Sequence, residues 1–463
     1  MEYRRGSWRG SYRGRGRGRG QSSWRMDRFS NAPAFVQPRT PSPPVGKSLK
    51  ELTAKDLVTS EERESNIPTI NNCQFVGSYN WLGGIENPVA LIPGAPPAWT
   101  PLENPKQLEE DSGVYYRDVN AARCPEHPME LAVRTFAART TKPSTQDVDI
   151  FACGSTLGNL LRFVRKVDKP FRFTVEAVGN TVFFVRKENS PTETMEGVRG
   201  YGHTFPDAYT TWGDGTAGSQ SHQRLINYDF AGLNCVVRFE GDGYLKHLDS
   251  DPKSEGDSPD VVPSTTKVDI RQGGRLVSQD AIFDLKTRSV KRMDHDILAE
   301  EIPRLWVTQI PNFVLAFHTR GTFEDIRVQN VRRDIEKWEN ENEDTLRQLA
   351  KLIREIAAVA KSRTDGRLEI RRKAVDVLEI REQLPHTPGV LPDDLKTWWI
   401  EGSCSDHRSS SEDELNDSGE ERYFSAGSDS GYGGVSFDSD DESEKDFTAC
   451  SADDCGYCGH CRY

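Results

Sequence analysis

Between residues 70 and 400 the apolar positions fall into short alternating runs broken by glycine, proline and acidic residues, a pattern that predicts a sheet-rich domain. Successive side chains of an extended segment point to opposite faces, so alternation marks strands. Residues 171–178 and 181–187 alternate on either side of Gly179-Asn180, which predicts a hairpin with a two-residue loop. Residues 73–82, 89–92 and 114–116 are strand-like, and 313–317 reads as a buried strand. A helix or strand is expected near 224–228, and 367–384 with 395–400 complete the folded part. Helical spacing predicts 130–138, 297–306 and one long helix over 332–360, where Ile335, Trp338, Leu346, Leu349, Ile353 and Ile356 form a single stripe. Residues 149–164 predict a strand, a glycine turn and a helix. A lone Gly154 beside Ser155 favours a plain turn over a phosphate cradle.

Two predicted strands carry the candidate chemistry, 233–245 (LNCVVRFEGDGYL) and 280–289 (DAIFDLKTRS). Alternation projects Glu240 and Asp242 together, away from Cys235, Val237 and Phe239. It also places Asp284 and Lys286 on one face and Phe283 and Leu285 on the other. If these strands are neighbours, three carboxylates and one ammonium converge. Such oxygen-rich groups hold Mg²⁺ or Mn²⁺, and Lys286 could then orient or deprotonate a water. The competing reading is a solvated sheet face, with Asp284 and Lys286 a surface ion pair. The acidic run 249–266 between the strands predicts an exposed loop. His203, His222 and His247 are too scattered for a zinc site and read as solvated or core histidines.

Composition divides the chain of 463 residues into unlike parts. Residues 1–45 are predicted to be disordered, with Arg13, Arg15, Arg17 and Arg19 alternating with glycine and Trp8, Tyr12 and Trp24 interspersed. Guanidinium groups meet phosphates and planar side chains stack on bases, so this arm predicts RNA binding; a solubilising tail is the alternative. Residues 401–449 are rich in serine and acids and are predicted to be disordered, a candidate dock for a protein partner. The net charge of −12 therefore reflects the tail more than the folded part. Residues 450–463 hold Cys450, Cys455, Cys458 and Cys461, read either as a zinc-binding set or as unliganded reactive thiols. Asp438, Asp440 and Asp441 do not make a prenyl-diphosphate site, because that needs two aspartate-rich motifs on facing helices. No apolar run is long enough to span a bilayer and no secretory signal is visible. The expectation is nucleus or cytoplasm, no membrane, and no secretion.

With these residues in view, 149–336 resembles the DXO-type family of RNA 5′-end decapping nucleases, of the PD-(D/E)XK class. The resemblance lies in the order of pieces: strand-turn-helix, hairpin, the Gly200-Tyr201 segment, the Glu240-x-Asp242 strand, the Asp284-x-Lys286 strand, then Trp306, Gln309 and the apolar strand at 311–317. It implies an α+β fold, a mixed sheet flanked by helices. It implies Glu240, Asp242 and Asp284 as metal ligands, joined loosely by Asp207, and Lys286 as the catalytic lysine. The implied activity is metal-dependent decapping, pyrophosphohydrolase or 5′–3′ exoribonuclease action. This chain departs from the pattern at Gly154, where the family carries arginine, at the displaced Asp207, at Asp284 in place of glutamate, and in a shortened stretch after Gln309. Those departures leave a second reading, a catalytically inactive nuclease-fold scaffold that binds RNA.

Overall fold

The computed structural model describes residues 42–58, 68–139, 144–195, 198–250, 265 and 267–401. The arm with Arg13, Arg15, Arg17 and Arg19, most of 249–266, and the tail with its four cysteines lie outside the described residues.

At the centre are Ile150–Cys153, Thr181–Arg186 and Leu233–Glu240, which pair in parallel, in parallel and then antiparallel with Ser219–Phe230. Their apolar residues serve two cores. Ile150, Ala152, Phe184 and Val237 pack with Leu157, Leu161, Leu305 and Ile353 from the helices Gly154–Val164, Ile297–Thr308 and Glu343–Ser362. Phe151, Phe183 and Val236 point the other way, onto Leu131 and Phe136 of Glu130–Ala137 and Trp399 of Asp393–Glu401. Burial on both faces explains why these strands read as near-continuous apolar runs. The expected α+β architecture is present: among the described residues an eleven-stranded mixed sheet lies between helices, beside a second sheet of six strands.

The hairpin forms as expected, Phe171–Val178 with Thr181–Arg186, Gly179 adopting the positive φ of 59° its loop requires. Three expectations need correction, and one left open between helix and strand resolves as a strand. Residues 114–116 form no strand; Tyr116 makes only an isolated bridge to Thr194. The element near 224–228 lies inside the twelve-residue strand Ser219–Phe230. The long helix is two, Arg332–Glu341 and Glu343–Ser362, because the Asn342 amide donates back to the Trp338 carbonyl (2.8 Å) and the backbone turns there. The strand 233–245 also breaks, at Gly241-Asp242: Leu233–Glu240 belongs to the large sheet, while Gly243–Tyr244 crosses to the small one and pairs with Ile282–Ser289. That crossing needs glycine, since a Cβ at residue 243 would meet the Phe283 ring at 2.3 Å.

Trp399 closes the second core. Its ring meets Phe136, Phe151 and Phe183 at 5.4, 5.6 and 5.3 Å, and its indole N–H donates to Thr181 Oγ1 (2.9 Å). Trp399→Ala should cost about 3–5 kcal/mol, read as a lower urea midpoint with an unchanged m-value. A midpoint equal to that of the wild type would mean the terminal helix is not part of the cooperative core.

Candidate functional site

Where the chain crosses between sheets, it leaves a carboxylate at the junction. Gly241 N–H donates to the His222 carbonyl (2.9 Å), the last tie to the large sheet. One residue on, half-buried Asp242 reaches the open edge of Ile282–Ser289 and accepts the Leu285 N–H at Oδ2 (2.7 Å). The segment 233–245 is therefore divided: only Gly243–Tyr244 lies beside Ile282–Ser289, while Leu233–Glu240 belongs to the other sheet. Leu233–Glu240 and Ile282–Ser289 meet through a two-residue crossing and one aspartate.

Along Ile282–Ser289, Phe283 and Leu285 enter a small aromatic core with Tyr201 and Phe205. Asp284, Lys286 and Arg288 share the opposite face. All three are buried, Asp284 completely. Both Asp284 oxygens accept from the Arg304 guanidinium, and Arg304 Nε donates to Glu301 Oε2 (3.0 Å) one helical turn away. Arg288 Nη2 reaches Glu301 Oε1 at 3.4 Å. Three acids, Asp242, Asp284 and Glu301, thus face three cations, Lys286, Arg288 and Arg304.

The field of this cluster acts on its members unequally. Burial, then the neighbouring Asp284 charge, pushes the Asp242 carboxyl up to about 7, against the pull of Lys286 and Arg304. Burial also opposes ionisation of Glu301, but Lys286, Arg304 and Arg288 outweigh it and hold that carboxyl below its ordinary value. Burial alone would lower Arg304; Asp284 and Glu301 instead raise it well above an ordinary arginine.

In front of Asp242 opens a cleft of about 570 Å³. Arg117, Arg123, Arg186 and Arg238 line it, together with Asp207, Glu240 and Asp242. Ser155, in the first turn of Gly154–Val164, lines it too; its buried Oγ has no hydrogen-bond partner, and no side chain caps that helix. Tyr115 and His203 stack at 3.5 Å between centroids with planes 5° apart. Burial lowers His203, partly offset by Asp111, and raises Asp207, to which Asp111 adds.

The expected site residues are thus divided. Glu240, Asp242 and Asp207 line the cleft, and Asp242 also joins Asp284 and Lys286 in the buried cluster. Asp284 and Lys286 do not line the cleft. Among the described residues no three or more His, Cys, Asp or Glu gather into a set able to hold a metal ion. With Arg304 on both oxygens of Asp284, the cluster does not fit Mg²⁺ or Mn²⁺ as it stands. Arg304, Glu301, Arg288 and the cleft arginines escaped the sequence reading. The signals were there: charges at 284, 286 and 288 on one strand face, and Glu301 with Arg304 at helical spacing. Ser155, expected in a plain turn, faces the cleft.

Residues 54–398 match the family model described as a domain of unknown function, DUF8563. No curated protein matches this sequence. Solved structures match in fold. Rai1 of Scheffersomyces stipitis, in complex with (3′-NADP)⁺ and calcium, is 12% identical with a TM-score of 0.50, covering 76% of this chain and 100% of its own. Rai1 of Candida albicans, in complex with pU5 and Mn²⁺, is 11% identical with a TM-score of 0.48, covering 76% and 99%. Dxo1 of K. lactis, in complex with manganese, is 10% identical with a TM-score of 0.44, covering 73% and 99%. The S. stipitis match shows that the chain has the DXO-type fold that the order of its motifs implied.

Asp242 yields a pH dependence. Its folded pKa of about 7 lies above the ordinary aspartate value of 3.8, so its stabilising contribution is complete below that lower value and lost as pH rises through 7. Asp242→Asn, which mimics the neutral acid, should melt above wild type by a margin that widens steadily from pH 5 to pH 8, by several degrees over that range. A difference constant across that range, followed by thermal denaturation, would refute the assignment.

Proposed function

The chain belongs to the DUF8563 family, and we propose that this member grips the 5′ end of RNA in the cleft beside Glu240 and Asp242. One observation carries the reading: four arginines converge there with the uncapped N-terminus of Gly154–Val164 and the unpartnered hydroxyl of Ser155. Guanidinium groups recognise phosphate through paired N–H donors, and a helix N-terminus adds free backbone N–H groups at the positive end of its dipole. Tyr115, His203 and Trp212 on the cleft lining supply ring faces on which a base can stack. The cavity of about 570 Å³ suits a nucleotide-sized ligand. The S. stipitis protein of like fold holds (3′-NADP)⁺, itself a dinucleotide. In this reading Arg13, Arg15, Arg17 and Arg19 add sequence-independent phosphate contacts from the arm. The acidic tail docks a protein partner, and the protein works in nucleus or cytoplasm.

Hydrolysis is the second reading, favoured because Asp207, Glu240 and Asp242 face the same cleft with Asp284 and Lys286 behind it. It makes the protein a Mg²⁺- or Mn²⁺-dependent decapping or exonucleolytic hydrolase, and it requires the ion to displace Arg304 from Asp284.

Fluorescence anisotropy in EDTA with a short 5′-monophosphorylated oligoribonucleotide tests the first reading. Wild type should bind it more tightly than the 5′-hydroxyl form, and Arg117→Ala or Ser155→Asp should weaken binding roughly tenfold or more, one charge-assisted contact's worth. Equal affinity for the two 5′ ends would sink this reading. Mn²⁺-dependent release of a labelled 5′ nucleotide, lost in Asp242→Ala, would establish the second instead.

A further inference from the structure

We propose that Arg304 is a built-in replacement for a divalent cation, so that the acids around it are neutralised permanently by the protein's own chain. The guanidinium sits among three carboxylate oxygens from two residues, Asp284 Oδ1 and Oδ2 and Glu301 Oε2. That is the kind of oxygen-rich surrounding a hard cation takes. Charge balance points the same way. Asp242, Asp284 and Glu301 carry three negative charges when ionised, and Lys286, Arg288 and Arg304 carry three positive ones. An added divalent ion would place two uncompensated charges in a cluster almost closed to water, where unpaired charge is costly.

Nor is Arg304 a mobile side chain that moves aside at little cost. It lies within the twelve-residue helix Ile297–Thr308, between Pro303 and Leu305, both buried, and the next residue is Trp306, 2% exposed and packed on Phe230. Its planar fork engages two carboxylates at once, a geometry lysine cannot reproduce. The substitution also changes what the centre can do. A metal polarises a bound water towards hydroxide, whereas a guanidinium only holds and orients anions. The inference concerns cation occupancy and does not rest on the RNA reading.

Titration of the full-length protein with Mn²⁺ alone, followed by electron paramagnetic resonance, tests it. Wild type should show no Mn²⁺ binding that Asp284→Asn abolishes; ions held by the acidic tail would be insensitive to Asp284. Arg304→Ala should gain one Mn²⁺ per chain, lost again in Arg304→Ala/Asp284→Asn, and its melting temperature should rise with Mn²⁺ while that of wild type does not. A folded Arg304→Ala that takes no Mn²⁺ overturns the proposal. If Arg304→Ala does not fold, wild type and Arg304→Lys decide. Asp284-dependent Mn²⁺ binding in either overturns it, and its absence in both supports it. RNA affinity measured separately in EDTA keeps failure here distinct from failure of the RNA reading.

Discussion

A carboxylate removed from water must find a cation or give up its charge, and Asp284, fully buried on a strand between two cores, sets that requirement for the whole junction. Arg304 meets it from the helix Ile297–Thr308, which packs on the helix Gly154–Val164 and so on the large sheet. The ion pair thereby ties the small sheet to the helical layer of the large one. Glu301 prevents the arginine from being over-supplied with positive neighbours, since Arg288 and Lys286 lie on the same strand face. Removing one member leaves another buried and unpaired. For this reason the six groups act as one unit, and substituting them singly costs more than a surface pair would.

The cleft depends on the same junction. Its floor is where the chain leaves one sheet and enters the other, and only glycine at 243 lets the crossing lie against Phe283. Asp242 is fixed there by the Leu285 N–H, so the carboxylate that faces the cleft is anchored to the strand that carries Asp284. Ser155 approaches from the first turn of the helix Gly154–Val164 and Arg238 from the strand Leu233–Glu240, where it lies opposite Cys153, the residue that precedes that helix. Cleft-lining groups and buried charges thus share one backbone framework, and the geometry of the cleft follows the packing behind it.

Much of this was legible in the chain. The hairpin at Phe171–Val178 and Thr181–Arg186 needs only local alternation and a Gly-Asn turn. The order of acidic and basic motifs pointed to the DXO-type fold although identity with the S. stipitis structure of that fold is only 12%. What stayed hidden was relational. Alternation along 233–245 is the same whether the strand continues or crosses to another sheet at Gly241-Asp242, so the break was invisible. The split at Asn342 was hidden because apolar residues continue on both sides of it. Arg304 went unremarked because a helical arginine spaced i,i+3 from Glu301 reads as half of a solvated surface pair until tertiary packing brings an aspartate from twenty residues earlier onto it. Ser155 looked like part of a turn because the cleft it faces is built from segments far apart in the numbering.

The two signs of charge in the cleft constrain how the RNA end proposed to bind there would lie. A 5′ phosphate set beside ionised Asp242 and Glu240 would be repelled, so its favourable contacts are with the arginines and the start of Gly154–Val164. Asp242, however, is pushed up to about 7 by burial and by Asp284, which favours its uncharged form. A protonated carboxyl is a hydrogen-bond donor, and it can turn towards a phosphate oxygen that its ionised form would expel. The buried cluster therefore does more than hold two sheets together. Through the Asp284 charge that Arg304 only partly masks, it sets whether the cleft meets an anionic ligand with a repulsive acid or with a donor.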